Sequence, residues 1–268
     1  MGKYLHVLSI GLQNTLVYRA NFLFRAAFGL IPLAGTLYLW RAIYGEAHGG
    51  DPINGYTLAQ MMSYYLVLTM VDAFTAVAED DWQIAGDIKD GQISQFLLKP
   101  IDYLQYRLSL YAAGRLIYTT CALVPVAVFL AFQWSTVVGP VSALAMAQAA
   151  VATLLAGLLQ FFIAYTVALL AFWVLDVSTF IFTQFALEYI ASGHLFPLDL
   201  LPPWLHQLLM GTPYPYLAYF PVGLYLGRIS GTAAWTGLGV QCFWVLAAYG
   251  LARGVFRLGI RKYSAVGG

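Results

Sequence analysis

The chain contains few charged residues: of its 268 residues only 9% are Asp, Glu, Lys or Arg, whereas 61% are hydrophobic. Soluble globular domains carry about 25% charged residues, so this sequence lacks the polar side chains that would cover a water-facing surface. The net charge of +1 provides no bulk attraction for nucleic acid, which is therefore not an expected partner. The composition predicts an all-α integral membrane protein in contact with membrane lipid.

Cysteine is also scarce, and Cys121 and Cys242 both lie within apolar runs. A disulfide framework or a metal site needs more cysteines at recognisable spacing, so buried reduced thiols are expected. The sequence contains no H-E-x-x-H zinc motif, no G-x-S-x-G elbow and no G-x-x-x-x-G-K-[ST] phosphate loop. We therefore expect the chain to bind no metal or cofactor, to have no catalytic residues and to hydrolyse no ATP by itself.

Six apolar runs have roughly the length of 20 residues that a spanning helix needs. They cover residues 22–44, 56–78, 108–132, 141–175, 177–196 and 235–256. The stretch between the last two runs contains six prolines, at positions 197, 202, 203, 213, 215 and 221. Because proline interrupts helices, we interpret residues 188–228 as an external re-entrant hairpin between the fifth and sixth spans.

The placement of basic residues predicts the orientation. With six spans, only Arg41 and Arg228 among the Lys and Arg residues lie on the side opposite the termini. The cytoplasmic side normally gathers Lys and Arg. The chain is therefore expected to be a multi-pass protein of the bacterial cytoplasmic (inner) membrane, with both termini cytoplasmic and residues 1–268 forming one transmembrane domain.

Residues 1–20 precede the first span and have a different pattern. Leu5, Leu8, Leu12 and Leu16 recur at helical spacing, whereas His6 and the polar residues between them face elsewhere. This pattern predicts an amphipathic helix that lies in the cytoplasmic membrane interface.

Residues 79–107 form the main polar segment, between the second and third spans, and they are rich in acidic residues. Gly91 can end one short helix with a left-handed cap, and Pro100 ends the next. Two interpretations remain open, a solvated loop that caps two spans or a docking element for a cytoplasmic partner. If it docks a partner, its acidic character predicts basic residues on that partner.

Three further features suggest alternatives. Gly193 and Pro197 break the helix near the outer surface, which is compatible either with packing that seals the bundle or with an outer gate. His194 and Asp199 have the H-x4-D spacing of some membrane acyltransferases. Asp72 lies within the second span, where ionisable groups are costly, and it could serve a stand-alone secondary carrier with Arg25 and Arg115 as possible partners.

Three segments together resemble the permease subunit of an ABC-2-type exporter. The helix before the first span is similar to that family's connecting helix. The segment DIKDGQISQFLLKPID resembles its coupling region, and SGHLFPLDLLPPWL followed by TPYPYLAYFPVGLYLG resembles its external hairpin. The resemblance implies a substrate pathway formed with a second permease, the same or a homologous chain, and cytoplasmic ATPase subunits that hold ATP and Mg.

The resemblance also implies roles for particular residues. The residues expected to couple to the ATPase are Ile84, Asp87, Ile88, Asp90, Gly91, Ile93, Phe96, Leu97 and Leu98. The residues expected to form the external gate are Gly193, His194, Phe196, Pro197 and Trp204.

Overall fold

The computed structural model describes residues 2–17, 19–47, 51–77, 80–133 and 137–263. Within these ranges the chain is almost entirely helical and contains no β-strand. The helices are α1 (Gly2–Val17), α2 (Arg19–Ala42), α3 (Leu58–Thr75), α4 (Asp80–Lys89), α5 (Ile93–Leu97), α6 (Tyr103–Gln133), α7 (Ala143–Ala168), α8 (Ser178–Ala191), α9 (Pro203–Met210), α10 (Tyr219–Tyr225) and α11 (Gly231–Lys262). Met1, Tyr18 and Glu79, which belong to predicted segments, lie outside the described residues.

Local signals mark several helix starts. The Thr57 hydroxyl accepts a hydrogen bond from the Gln60 amide while the Gln60 side chain accepts one from the Thr57 amide, a capping box at the start of α3. Ser142 caps α7 by accepting a hydrogen bond from the Ala145 amide. Both caps satisfy amide groups that have no partner within the helix, which is essential close to lipid.

Five helices of the described chain are long and apolar enough to cross a membrane. Their apolar stretches are Leu23–Gly45, Leu58–Lys89, Tyr103–Val128, Ala143–Phe172 and Gly231–Lys262, the second of which combines α3 with α4. These stretches correspond to the first, second, third, fourth and sixth predicted runs.

The fifth predicted run, residues 177–196, forms the shorter helix α8, which has only 14 residues. A helix of this length rises about 21 Å, less than the roughly 30 Å of hydrocarbon in a bilayer. The chain turns at Gly193, whose φ is +95°, so the apolar residues after it do not extend the helix. Helix length therefore does not confirm the predicted six spans, which stay a prediction.

The buried side chains form two main clusters. One surrounds Tyr103, Phe161 and Tyr165 and is built mainly from α4, α6, α7 and α11. The other surrounds Tyr56 and Tyr64 and is built mainly from α2, α3, α10 and the residues before α9. Helix α7 packs against α3, α4, α10 and α11, so it is the central helix of the fold.

Helix α1 forms at the predicted place and packs along α6. The Lys3 ammonium donates to the carbonyl of Pro100, and the Tyr4 hydroxyl accepts a hydrogen bond of 3.0 Å from the amide of Asp102. Leu5 and Leu16 are exposed. These contacts connect α1 to the start of α6, and the location of α1 in the membrane interface stays a prediction.

Candidate functional site

The apolar face of α4 and α5 points into the protein. Ile84, Ile88 and Ile93 are buried and pack in the same cluster as Tyr103 and Leu104 of α6. The sequence analysis assigned these isoleucines to the residues that couple to the ATPase. In the structure their side chains pack against other residues of the same chain. Burial of such side chains stabilises the segment by about 1.5–3 kcal/mol each, so they hold the segment against α6 and α7.

The opposite side of this segment is exposed. Leu98 is 89% exposed and Leu97 is 46% exposed, and Lys89, Asp90 and Lys99 of the same segment are also exposed. We call these five residues the α4–α5 tip. They include two basic side chains and one acidic side chain, so the charge of the tip is mixed and not strongly acidic.

Two further residues of this segment shape the tip. Gly91 has a φ of +75°, a left-handed conformation that favours glycine and lets α4 end where α5 begins. The half-buried Phe96 lies 5.1 Å from the ring centre of Tyr103 and 4.8 Å from that of Tyr106. Gly91 and Phe96 therefore position the exposed leucines.

Acidic residues of the segment form internal ion pairs. Asp87 pairs with Arg107 and accepts a 2.6 Å hydrogen bond from the hydroxyl of Tyr103. Asp102 pairs with Arg253 of α11. The expectation of an acidic docking surface that requires a basic partner is therefore wrong for Asp87 and Asp102, because their charges are compensated within the chain.

The outer hairpin begins at the end of α8 and is hydrogen-bonded to α3. The Tyr64 hydroxyl donates a 2.8 Å hydrogen bond to the carbonyl of Gly193, and the Tyr65 hydroxyl donates a 2.7 Å bond to the carbonyl of Leu195. A Cβ on Gly193 would lie 2.6 Å from the Tyr64 oxygen. The turn therefore requires glycine both for its φ and for the close approach of this hydroxyl.

His194 lies between α3 and the end of α8. Its Nε2 is 2.9 Å from Oδ1 of Asp72, and its Nδ1 is 2.5 Å from Oγ of Ser192. The imidazole also stacks on Tyr189, with ring centres 5.4 Å apart. The carboxylate partner of His194 is thus Asp72, not the Asp199 that the H-x4-D spacing suggests.

Asp199 has its own set of partners at the other end of α3. Its carboxylate accepts hydrogen bonds of 2.6 Å from Tyr56 and 2.5 Å from Tyr219, and Arg228 lies 4.0 Å away. Through these contacts Asp199 joins the loop before α3, the hairpin and α10.

The remaining predicted gate residues are not all in one place. Phe196 and Leu198 pack in the cluster around Tyr64, and Pro197 between them is buried. Trp204, near the start of α9, is 67% exposed. The structure therefore brings Gly193, His194, Phe196 and Pro197 to α3 but leaves Trp204 at the surface.

A polar cavity of about 450 Å³ lies between α2, α3, α6 and the end of α8. Arg25, Asp72, Arg115 and His194 line it together with three tyrosines, and much of the remaining wall is apolar. Sequence reasoning singled out Arg25 and Arg115 only as partners for Asp72. It missed Ser192, Tyr64 and Tyr65, because hydroxyl groups in an apolar run have no distinctive spacing.

An almost wholly helical chain with five potential spans is a multi-pass membrane protein. A family model described as an ABC-2 family transporter protein matches residues 30–267. The chain belongs to this family, so it is a membrane permease of the ABC transporter class. No curated protein and no solved structure matches the chain.

Proposed function

We propose that this chain is the membrane subunit of an ATP-driven exporter, and that it forms the substrate pathway with a second permease chain. Cytoplasmic ATPase subunits, which hold the ATP and Mg, would bind the α4–α5 tip. The observation that carries this proposal is the exposure of Leu97 and Leu98 at the end of a segment that is otherwise packed into the core. Exposed apolar residues rimmed by polar ones are typical of protein interaction sites.

Ion pairs and a hydrogen bond connect the segment that carries the tip to α6, α11 and α1, and they could transmit a displacement of the tip. Asp87 connects α4 to Arg107 of α6, and Asp102 connects the same region to Arg253 of α11. The carbonyl of Pro100, the residue that follows the tip, accepts a hydrogen bond from Lys3 of α1. A partner that displaces the tip would therefore displace two membrane-spanning helices and α1 together.

The proposed topology has six crossings with both termini in the cytoplasm of a bacterium. Here α8 would make the fifth crossing, and residues 188–228 would form the external re-entrant hairpin beside α3. The hydrogen bonds from Tyr64 and Tyr65 to Gly193 and Leu195 support this arrangement. Irregular backbone is tolerated at membrane depth when protein groups satisfy it, and these hydroxyls do so.

The outer hairpin is the proposed gate. It contacts α3 through hydrogen bonds from the Tyr64 and Tyr65 side chains, through the contact between His194 and Asp72, and through packing of Phe196 and Leu198 in the cluster around Tyr64. Such contacts can be exchanged when helices move, which supports an element with two arrangements.

The experiment is co-purification of the chain with its ATPase after substitution of the tip. We expect the double variant Leu97→Gln, Leu98→Gln to bind the ATPase about tenfold more weakly or worse, since apolar anchors dominate such interfaces. Leu208→Gln, at another exposed leucine (63% exposed) in α9, is the matched control and should bind normally. Unchanged ATPase binding by the double variant would refute docking at the tip.

A second candidate function is a stand-alone carrier that uses Asp72. The observation that favours it is the location of Asp72 in a polar cavity, in contact with His194. Transport by the purified chain in vesicles without any ATPase would support the carrier and refute the exporter.

A further inference from the structure

We propose that the cavity between α2, α3 and α6 binds the anionic head group of an amphiphile, and that Arg115 is the principal ligand of that group. The head group would be a phosphate or a carboxylate. Its source would be either an anionic lipid of the bilayer or the transported compound, and the second possibility rests on the proposed function.

Arg115 carries the argument. Its side chain lines the cavity, the residue is 94% buried, and its Nε has no hydrogen-bond partner among the described residues. The Cζ of its guanidinium lies 5.1 Å from the ring centre of Tyr118, a cation–π contact that uses no N–H donor. A buried charged group with an unsatisfied donor is costly, so an acceptor bound in the cavity by the other N–H groups of this guanidinium would offset part of that cost.

The charges around the cavity favour an anion. Its lining contains two guanidinium groups, Arg25 and Arg115, against one carboxylate, Asp72. That carboxylate already contacts Nε2 of His194 at 2.9 Å, so part of its hydrogen-bonding capacity is engaged. Asp80 is the carboxylate that acts electrostatically on Arg115, but it is not among the residues that line the cavity. Guanidinium groups bind phosphate and carboxylate through two parallel hydrogen bonds.

The shape and remaining walls favour an amphiphile over a free anion. Pro32, Leu33, Leu68 and Val77 line the same cavity as the arginines. Its volume of about 450 Å³ lies within the range of roughly 300–1,000 Å³ that is usual for small-molecule sites. A head group at Arg115 would leave room for the first part of an alkyl chain against these apolar side chains.

The test measures binding of dodecyl phosphate to the assembled complex in phosphatidylcholine nanodiscs by native mass spectrometry. Dodecyltrimethylammonium, which has the same tail and a cationic head, is the control probe. We expect the phosphate to bind and the ammonium not to bind. Arg115→Gln should weaken phosphate binding by about tenfold or more, since it removes a charge-assisted contact, whereas Arg41→Gln at the other end of α2 should bind like the unaltered chain.

A second pair of variants keeps the test independent of the folding of Arg115→Gln. Gly29 lines the cavity, and a Cβ added to it meets no atom within 4 Å. A Cβ added to Gly35 of the same helix also meets no atom within 4 Å, but Gly35 does not line the cavity. Gly29→Phe should therefore block dodecyl phosphate with Arg115 intact, and Gly35→Phe should not.

Equal binding of the two probes, or undiminished phosphate binding by both Arg115→Gln and Gly29→Phe, would overturn the site. If dodecyl phosphate stimulates ATP hydrolysis by the complex, the amphiphile is cargo; if it binds without stimulation and competes with phosphatidylglycerol, the site holds a lipid. If dodecyl phosphate does not bind while the ATPase still binds the α4–α5 tip, this inference alone is refuted and the proposed function stands.

Discussion

Arg107 of α6 and Asp87 of α4 form an ion pair with only 6% and 13% of their side chains exposed. Arg107 also donates hydrogen bonds of 3.1 Å to the side chain and 3.2 Å to the carbonyl of Gln83. The two residues are twenty positions apart in the sequence, on either side of the α4–α5 tip. Their pairing makes the tip a rigid extension of a membrane-spanning helix, which is the property that a force-transmitting element needs.

The first prediction concerns this pair. Asp87→Ala leaves a buried guanidinium without its carboxylate, and we expect it to lower the free energy of unfolding by about 3–5 kcal/mol. The double variant Asp87→Leu, Arg107→Met should lose less, because it removes both charges together. Denaturant titration in detergent measures the free energy of unfolding of both variants. Asp90→Ala, at an exposed position, is the control and should change this free energy little. A double variant less stable than Asp87→Ala would contradict the pairing.

The second prediction concerns the turn at Gly193. Gly193→Ala places a Cβ against the Tyr64 hydroxyl and forces alanine to a φ of +95°, so we expect a loss of about 1–3 kcal/mol. Adding Tyr64→Phe, which removes the clashing oxygen, should recover part of this loss. Gly239→Ala in α11, where an added Cβ meets no atom within 4 Å, should be neutral or stabilising by up to about 1 kcal/mol. Thermal unfolding of the three variants decides the matter, and equal losses at both glycines would count against the described turn.

The third prediction separates the two carboxylates near the hairpin. In double-mutant cycles, His194→Ala and Asp72→Asn should be coupled by about 0.5 kcal/mol or more, because these residues are in contact. His194→Ala and Asp199→Asn have no shared partner and should be additive. Stronger coupling of His194 to Asp199 than to Asp72 would refute the described partners and revive the acyltransferase alternative.

The fourth prediction counts the crossings. In a chain with Cys121→Ala and Cys242→Ala, single cysteines at exposed positions are probed with a membrane-impermeant maleimide. Leu98→Cys and Trp204→Cys should react from opposite sides, because α6, α7 and α8 would lie between them.

Two further positions calibrate this labelling. Val141→Cys, between α6 and α7, should react from the outside, and Leu175→Cys, after α7, from the cytoplasm; both residues are exposed, at 67% and 94%. Reaction of Leu98→Cys and Trp204→Cys from the same side would show that α8 does not cross.

Much of the fold could be predicted because membrane spans are local features. A run of apolar residues predicts a helix without any knowledge of its neighbours, since backbone groups in lipid must bond within the segment. For the same reason the apolar run of residues 177–196 did not predict where its helix ends. Its apolarity continues past Ala191, but the hydroxyl of Tyr64 and the φ of Gly193 turn the chain there, and neither is visible in a hydropathy pattern.

The sequence could predict which segments form the candidate site, but not which of their side chains are exposed. Ile84 and Ile88 were assigned to the coupling region together with Leu97 and Leu98, yet the first two are buried and the last two are exposed. In a membrane protein the apolar character of a side chain does not reveal whether it meets lipid, a partner or the protein interior.

By itself the sequence determined the class of the protein, the approximate position of five apolar spans and the family. Only the tertiary structure decided that Asp87 pairs with Arg107, Asp72 with His194 and Asp199 with Tyr56 and Tyr219. The contacts Asp72–His194 and Asp199–Tyr56 join residues more than 100 positions apart. Composition and periodicity are properties of neighbouring residues, whereas these contacts depend on how distant helices pack, and therefore on the whole chain at once.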